Sequence, residues 1–146
     1  MAEVEFYRCE HCGNMVALIK KGGGTLVCCG DLMTKLTANS TDAATEKHVP
    51  VAIRQEGKIQ VAVGSTLHPM LPEHHIEWIA LVTGDRVDLK YLKPGQEPKA
   101  EFDDVESGAI YAYCNLHGLW KAELFSTADG EVCSAEFSEG CISAEG

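Results

Sequence analysis

The chain has 146 residues, 45% hydrophobic, 23% charged and 7% aromatic, enough for one ordinary domain or a modest one carrying a small metal-stapled one. Twelve Lys and Arg against 22 Asp and Glu give a net charge of −10, which argues against nucleic acid or an anionic membrane as partner. No apolar run approaches the ~18–20 residues that span a bilayer, and the acidic start M-A-E-V-E-F-Y lacks the regions of a signal peptide, so a cytoplasmic protein is expected.

Residues 1–37 form the first zone, with strand-like runs at Val4–Arg8, Met15–Ile19 and Thr25–Val27. Turns at Cys12-Gly13-Asn14 and Gly22-Gly23-Gly24 separate them. So short a segment cannot bury a core of its own without a staple. Four of the seven cysteines lie here: Cys9, Cys12, Cys28 and Cys29. An odd cysteine count without a secretory signal makes a disulfide framework the weaker reading and a metal the obvious staple. A polar linker with at most a short helical turn, Thr37–Thr45, follows.

The second zone, 38–126, reads as strands at Val49–Arg54, Lys58–Val63, Ile76–Thr83, Val87–Leu92, Ala109–Tyr113 and Leu119–Phe125. Gly57, Gly64, Gly84, Pro94-Gly95 and Gly108 punctuate them. Short strands at this spacing predict an antiparallel sandwich or barrel, and no stretch holds a 3.6-residue period long enough for a core helix. The third zone, 127–146, is acidic; within it Glu131–Phe137 could pair as a further strand. No catalytic role is expected of it.

Two constellations carry chemistry. In C-E-H-C, Cys9 and Cys12 present two thiolates from one tight turn, and the adjacent Cys28 and Cys29 close a tetrahedral four-sulfur set suited to zinc or iron. Adjacency forces the backbone to turn between the last two ligands. His11, between two cysteines, is expected to be exposed rather than bound. The second constellation comprises E-K-H-V-P at Glu46–Pro50, H-P-M at His68–Met70, H-H-I-E-W at His74–Trp78 and C-N-L-H-G at Cys114–Gly118. Together these supply His48, His68, His74, His117 and Cys114, four imidazoles and one soft thiolate. His75 is expected to point away from His74 because side chains alternate along an extended segment.

With both halves intact, residues 1 to about 125 resemble the two-iron superoxide reductases, also called desulfoferrodoxins. The resemblance implies a mainly β protein: a small desulforedoxin-like, metal-stapled domain at 1–37, an immunoglobulin-like antiparallel β-sandwich at 38–126, and an acidic extension at 127–146. It implies two iron ions per chain. One would be an Fe(Cys)4 centre on Cys9, Cys12, Cys28 and Cys29. The other would be an Fe(His)4Cys centre with His48, His68, His74 and His117 equatorial and Cys114 axial. It further implies a homodimer that reduces superoxide to hydrogen peroxide without producing oxygen, re-reduced by a rubredoxin-type donor. Nothing carries over to Cys133 or Cys141.

The chemistry of the residues suits that reaction. Four neutral imidazoles and one thiolate on a ferrous ion leave a local charge of about +1 and one coordination position to receive an anion. An adjacent Glu-Lys pair in a polar loop is ordinarily solvated surface, but Glu46 and Lys47 directly precede the ligand His48. Lys47 then offers a positive charge on a protein that otherwise repels superoxide, and Glu46 a sixth ligand for the ferric ion. Two other readings compete. A cupredoxin-like carrier would use His2Cys copper, yet Met1, Met15, Met33 and Met70 all precede Cys114, where such sites want a downstream methionine. A zinc-stapled binding module explains the first zone only.

Overall fold

The computed structural model of the chain describes residues 4–40, 45–64, 67–126 and 132–134. The elements run in chain order: β1 (Glu5–Arg8), β2 (Met15–Leu18), β3 (Val27–Cys28), β4 (Asp31–Leu32), β5 (Thr34–Lys35), α1 (Thr45–His48), β6 (Pro50–Gln55) and β7 (Lys58–Val63). They continue with β8 (Ile76–Val82), β9 (Val87–Tyr91), β10 (Lys99–Asp103), β11 (Gly108–Cys114), β12 (Gly118–Ser126) and β13 (Val132–Ser134). No helix among the described residues is long and apolar enough to cross a membrane.

Two antiparallel sheets, ordered β10-β7-β6 and β13-β12-β11-β8-β9, make the immunoglobulin-like sandwich. Alternation along each strand decides which side chains fill it. Ile59, Val61 and Val63 of β7 face Ile79 and Leu81 of β8 and Ile110, Ala112 and Cys114 of β11 across one buried core. Cys114 is fully buried in that layer at the end of β11, so the thiol is placed by the same alternation that builds the core. The β8–β11 register shifts at this end: Tyr113 opposes Trp78, but Cys114 opposes Ile76. The extra residue returns Ile76 to the core face and bends the strand just after His74 and His75.

The outer face of the five-stranded sheet is also apolar, and the N-terminal segment covers it. Val4 and Phe6 pack on Trp78, Ala80, Val82, Tyr113 and Leu119. The Phe6 ring is 5.0 Å from both Trp78 and Tyr111, and Trp78 stacks on Tyr113 at 5.8 Å and 12°. The first zone therefore has a core after all, borrowed from the sandwich, and its cysteines are not its sole structural resource. The linker is tied down as well: Asn39 Oδ1 accepts from the Lys121 N–H at 2.9 Å, and its Nδ2 donates to the Lys121 carbonyl at 3.1 Å.

The anticipated strands all form, within a residue or two at their ends except at β3. That strand lies later than expected, at Val27–Cys28, because it pairs with β4 in a hairpin whose turn is Cys29-Gly30. Three strands, β4, β5 and β10, lie outside the anticipated runs. Lys99–Asp103 alternates, with Ala100 and Phe102 turned to the core between charged residues, and it pairs along its full length with β7. β13 falls inside the segment 131–137 expected to pair, and joins β12 from Leu124 to Ser126. The side chain of Cys133 and all of Cys141 lie outside the described residues.

Candidate metal centres

The N-terminal site begins with the turn after β1. The Gly13 N–H donates to the Cys9 carbonyl at 2.9 Å, and the Cys9 N–H to the Asn14 carbonyl at 2.8 Å. This closes a knuckle in which the amides of Cys12 and Asn14 point at the sulfurs of Cys9 and Cys12, each at 3.5 Å. The opposing pair comes from the β3–β4 turn. Cys29 has φ 54° and Gly30 φ 83°, the left-handed pair of a type I′ hairpin. That conformation lets adjacent cysteines point to one centre. The His11 ring, exposed as expected, pairs with Asp31 and joins knuckle to hairpin.

Cys12 Sγ lies 3.6 Å from Cys28 Sγ, and Cys28 Sγ 3.9 Å from Cys29 Sγ. Two sulfurs bound to one metal at about 2.3 Å in a tetrahedron are about 3.8 Å apart. Acidity tells the same story. The amide of Cys12, then that of His11, lowers the Cys9 thiol to about 6, while the neighbouring sulfurs of Cys12, Cys9 and Cys28 push Cys29 up to about 12. Four thiolates cannot share this space without a cation between them.

The second site sits at the end of the sandwich where α1, the loop before β8 and the β11–β12 turn converge. Among neighbouring rings, His48 and His68 are 4.6 Å apart, His68 and His74 4.6 Å, His74 and His117 5.0 Å, and His117 and His48 4.9 Å. His48 and His74 are 6.4 Å apart, the diagonal of a square. Neighbouring ring planes stand at 74–89°, each imidazole edge-on to the next. His48 Nε2 is 3.1 Å from both His68 Nε2 and His117 Nδ1. Two nitrogens bound at about 2.1 Å at right angles would be about 3.0 Å apart. Cys114 Sγ is 3.8 Å from His117 Nδ1, and all five donor atoms lie within 4.8 Å of one another.

Protonation and orientation suit metal binding. His68 Nδ1 donates to the Pro69 carbonyl at 2.7 Å, turning the lone pair of Nε2 into the site. Burial first, then the neighbouring imidazoles, lowers His68 to about 4. Burial lowers His74 too, with a contribution from the Lys47 charge, so both are neutral ligands near pH 7. Burial pushes the Cys114 thiol up, opposed by the amides of Leu116 and His117. His74 Nε2 is buried with no hydrogen-bond partner. Orphaned nitrogen, buried thiol and clustered imidazoles make a donor set suited to a metal cation.

The nine cysteine and histidine ligands anticipated all fall into these two groups. His75 lies outside the second, its Nδ1 buried without a partner. Lys47 is exposed on α1; the side chain of Glu46 lies outside the described residues. Sequence reasoning missed Trp120 and Asn115. Trp120 stacks on His48 at 4.8 Å and 24°, and its indole N–H donates to the His117 carbonyl at 3.2 Å. A lone tryptophan on a strand gives no signal of this, whereas Asn115 stood inside the C-N-L-H-G motif.

The desulfoferrodoxin family matches residues 40–123, and the family of desulfoferrodoxin N-terminal domains matches residues 2–36. The chain belongs to the desulfoferrodoxin family. It is 48% identical over 122 residues to the desulfoferrodoxin of Clostridium acetobutylicum, covering 84% of this chain and 98% of that one. A protein of Pyrococcus horikoshii named superoxide reductase is 40% identical over 112 residues, covering 63% of this chain and 97% of that one. Among solved structures, the superoxide reductase from Treponema pallidum superposes with a TM-score of 0.66 at 31% identity, covering 82% of this chain and 98% of that one. The two donor sets, four sulfurs in one and four nitrogens with a sulfur in the other, fit the two irons of a desulfoferrodoxin. Residues 124–146 lie beyond the family match.

Proposed function

We propose that this protein is a superoxide reductase, acting at the His48, His68, His74, His117 and Cys114 centre. The square of four imidazoles beside a buried thiol carries the reading. Nothing in a copper carrier of the His2Cys type calls for four histidines, and a zinc-stapled binder calls for none of them. A ferrous ion held there supplies one electron, and superoxide with that electron and two protons becomes hydrogen peroxide, with no oxygen formed.

The protein's own groups shape that step. Cys114 would supply the soft thiolate among the ligands, whose electron density favours loss of an electron from the metal. The Lys47 ammonium, exposed beside His48 and close enough for its charge to act on His74, attracts the anion into the site and orients the water that delivers a proton. Glu46, next to Lys47 in sequence, would supply a further carboxylate ligand to the oxidised metal. Cys9, Cys12, Cys28 and Cys29 would hold the other iron, and four thiolate ligands would suit it to one-electron transfer. A rubredoxin-type protein returns the spent electron, and the protein works as a homodimer in the cytoplasm. We assign residues 1–37 to the four-cysteine domain, 38–126 to the reductase domain, and 127–146 to an extension without catalytic role.

Metal analysis with pulse radiolysis tests this. The expected result is two irons per chain, fast superoxide consumption by the ferrous protein, one peroxide per superoxide and no oxygen evolved. One copper per chain, or one zinc without colour, would overturn it.

A further inference from the structure

Asn115 follows Cys114 in the β11–β12 turn and is half-buried. Its side chain reaches the segment that carries His74. The His75 N–H donates to Asn115 Oδ1 at 2.9 Å, and Asn115 Nδ2 donates to the Glu73 carbonyl at 3.0 Å. The Asn115 N–H itself donates to the His75 carbonyl at 3.2 Å. Three hydrogen bonds thus bracket His74, one on the residue before it and two on the residue after it.

The sheet makes this clamp necessary. Between β8 and β11 the ladder shifts register, with Cys114 opposite Ile76, and the residues before Ile76 have left the strand. An asparagine amide, with one acceptor and two donors, pairs with their backbone groups where no strand continues to do so. His74 depends on it more than the other ligands do. Among the described residues, His68 is oriented by its bond to the Pro69 carbonyl and His48 by the face of Trp120. No hydrogen bond is made by His74 Nε2. The position of that ring is inherited from its backbone, held on one side by the paired bonds to Leu71 at 2.9 and 3.1 Å and on the other by Asn115.

We propose that Asn115 is a positioning residue, fixing the His74 imidazole relative to Cys114 and His117 and thereby setting how tightly the centre holds its metal. This rests on reading the site as an iron centre. An outer-shell group of this kind typically contributes 10–100-fold to metal affinity.

The test uses the full two-iron protein with Asn115→Ala and Asn115→Asp. The rate at which a ferrous chelator removes iron from the histidine centre is measured, with the position of the sulfur-to-iron band of that centre when oxidised. The four-cysteine band serves as internal control. Asn115→Ala is expected to speed iron loss about 10–100-fold and to move the band. Asn115→Asp keeps the acceptor for His75 but loses the donor to Glu73, so it is expected to fall between. The four-cysteine band stays unchanged in both. A lowered unfolding midpoint with wild-type iron loss and wild-type band would overturn the proposal, leaving Asn115 a structural residue only. Should Asn115→Ala fail to accumulate folded, the near-isosteric Asn115→Asp decides alone, and wild-type behaviour there overturns it. Absence of iron at the histidine centre of the unaltered protein would overturn the proposed function with it, whereas iron bound normally in all three proteins overturns this inference alone.

Discussion

Trp120 lies flat on His48, with ring centroids 4.8 Å apart and planes 24° from parallel. The same indole donates its N–H to the carbonyl of His117, so one buried side chain supports two neighbouring corners of the histidine square. Stacking on an aromatic face fixes ring orientation without using either imidazole nitrogen, which leaves the Nε2 lone pair of His48 for the site. Trp120→Phe keeps the stack and loses the hydrogen bond; it is expected to cost about 1 kcal/mol. Trp120→Ala opens a cavity and is expected to cost about 3–5 kcal/mol. Denaturant unfolding and iron content measured together check this: retention of iron should follow the order wild type, Phe, Ala.

Phe6 carries the interface between the N-terminal segment and the sandwich. It is 2% exposed and touches Trp78 and Tyr111. Phe6→Ala is expected to cost about 3–5 kcal/mol, most of it as undocking of β1 and β2. Hydrogen exchange should show loss of protection there with the β7 and β11 amides still protected. Removing the metal from the four-cysteine site alone should loosen the β3–β4 hairpin while β1 remains docked, because Phe6 does not depend on the sulfurs.

The two centres are expected to separate under mutation. Cys12→Ser should abolish or alter the four-cysteine spectrum and leave superoxide reduction measurable. Cys114→Ser keeps an oxygen ligand but removes the soft donor, so the sulfur-to-iron band of the histidine centre and the reductase activity should both disappear. Absorption spectra with pulse radiolysis on each variant distinguish the outcomes.

Lys47 stands exposed beside the ligand His48 on a chain of net charge −10. Lys47→Ile should slow the bimolecular reaction with superoxide by about 10-fold or more and flatten its dependence on ionic strength. Glu46→Ala should change the ferric spectrum and leave that first step nearly intact. Rates at several salt concentrations check both.

The cysteine and histidine ligands and most of the strands are legible in local sequence. Cys9 and Cys12 are readable because one tight turn brings two thiolates together over three residues. The histidine motifs are readable because each stands beside turn residues or a strand end; strand alternation shows in Lys58–Val63, and Ala109–Tyr113 reads as a continuous apolar and aromatic run. What the sequence could not decide is every relationship that crosses the chain. The square of imidazoles is drawn from residues 48, 68, 74 and 117, and its corner order follows from how the two sheets pack. Phe6 finds Trp78 and Tyr111 only because the outer sheet face is apolar, and nothing near Phe6 announces it. β10 alternates over only five residues with two apolar ones, and its full ladder to β7 completes the strand. Local patterns encode propensity and chemistry, which act over a few residues. Packing and backbone pairing act over tens of residues, and they alone turned two legible lists of ligands into two shaped centres.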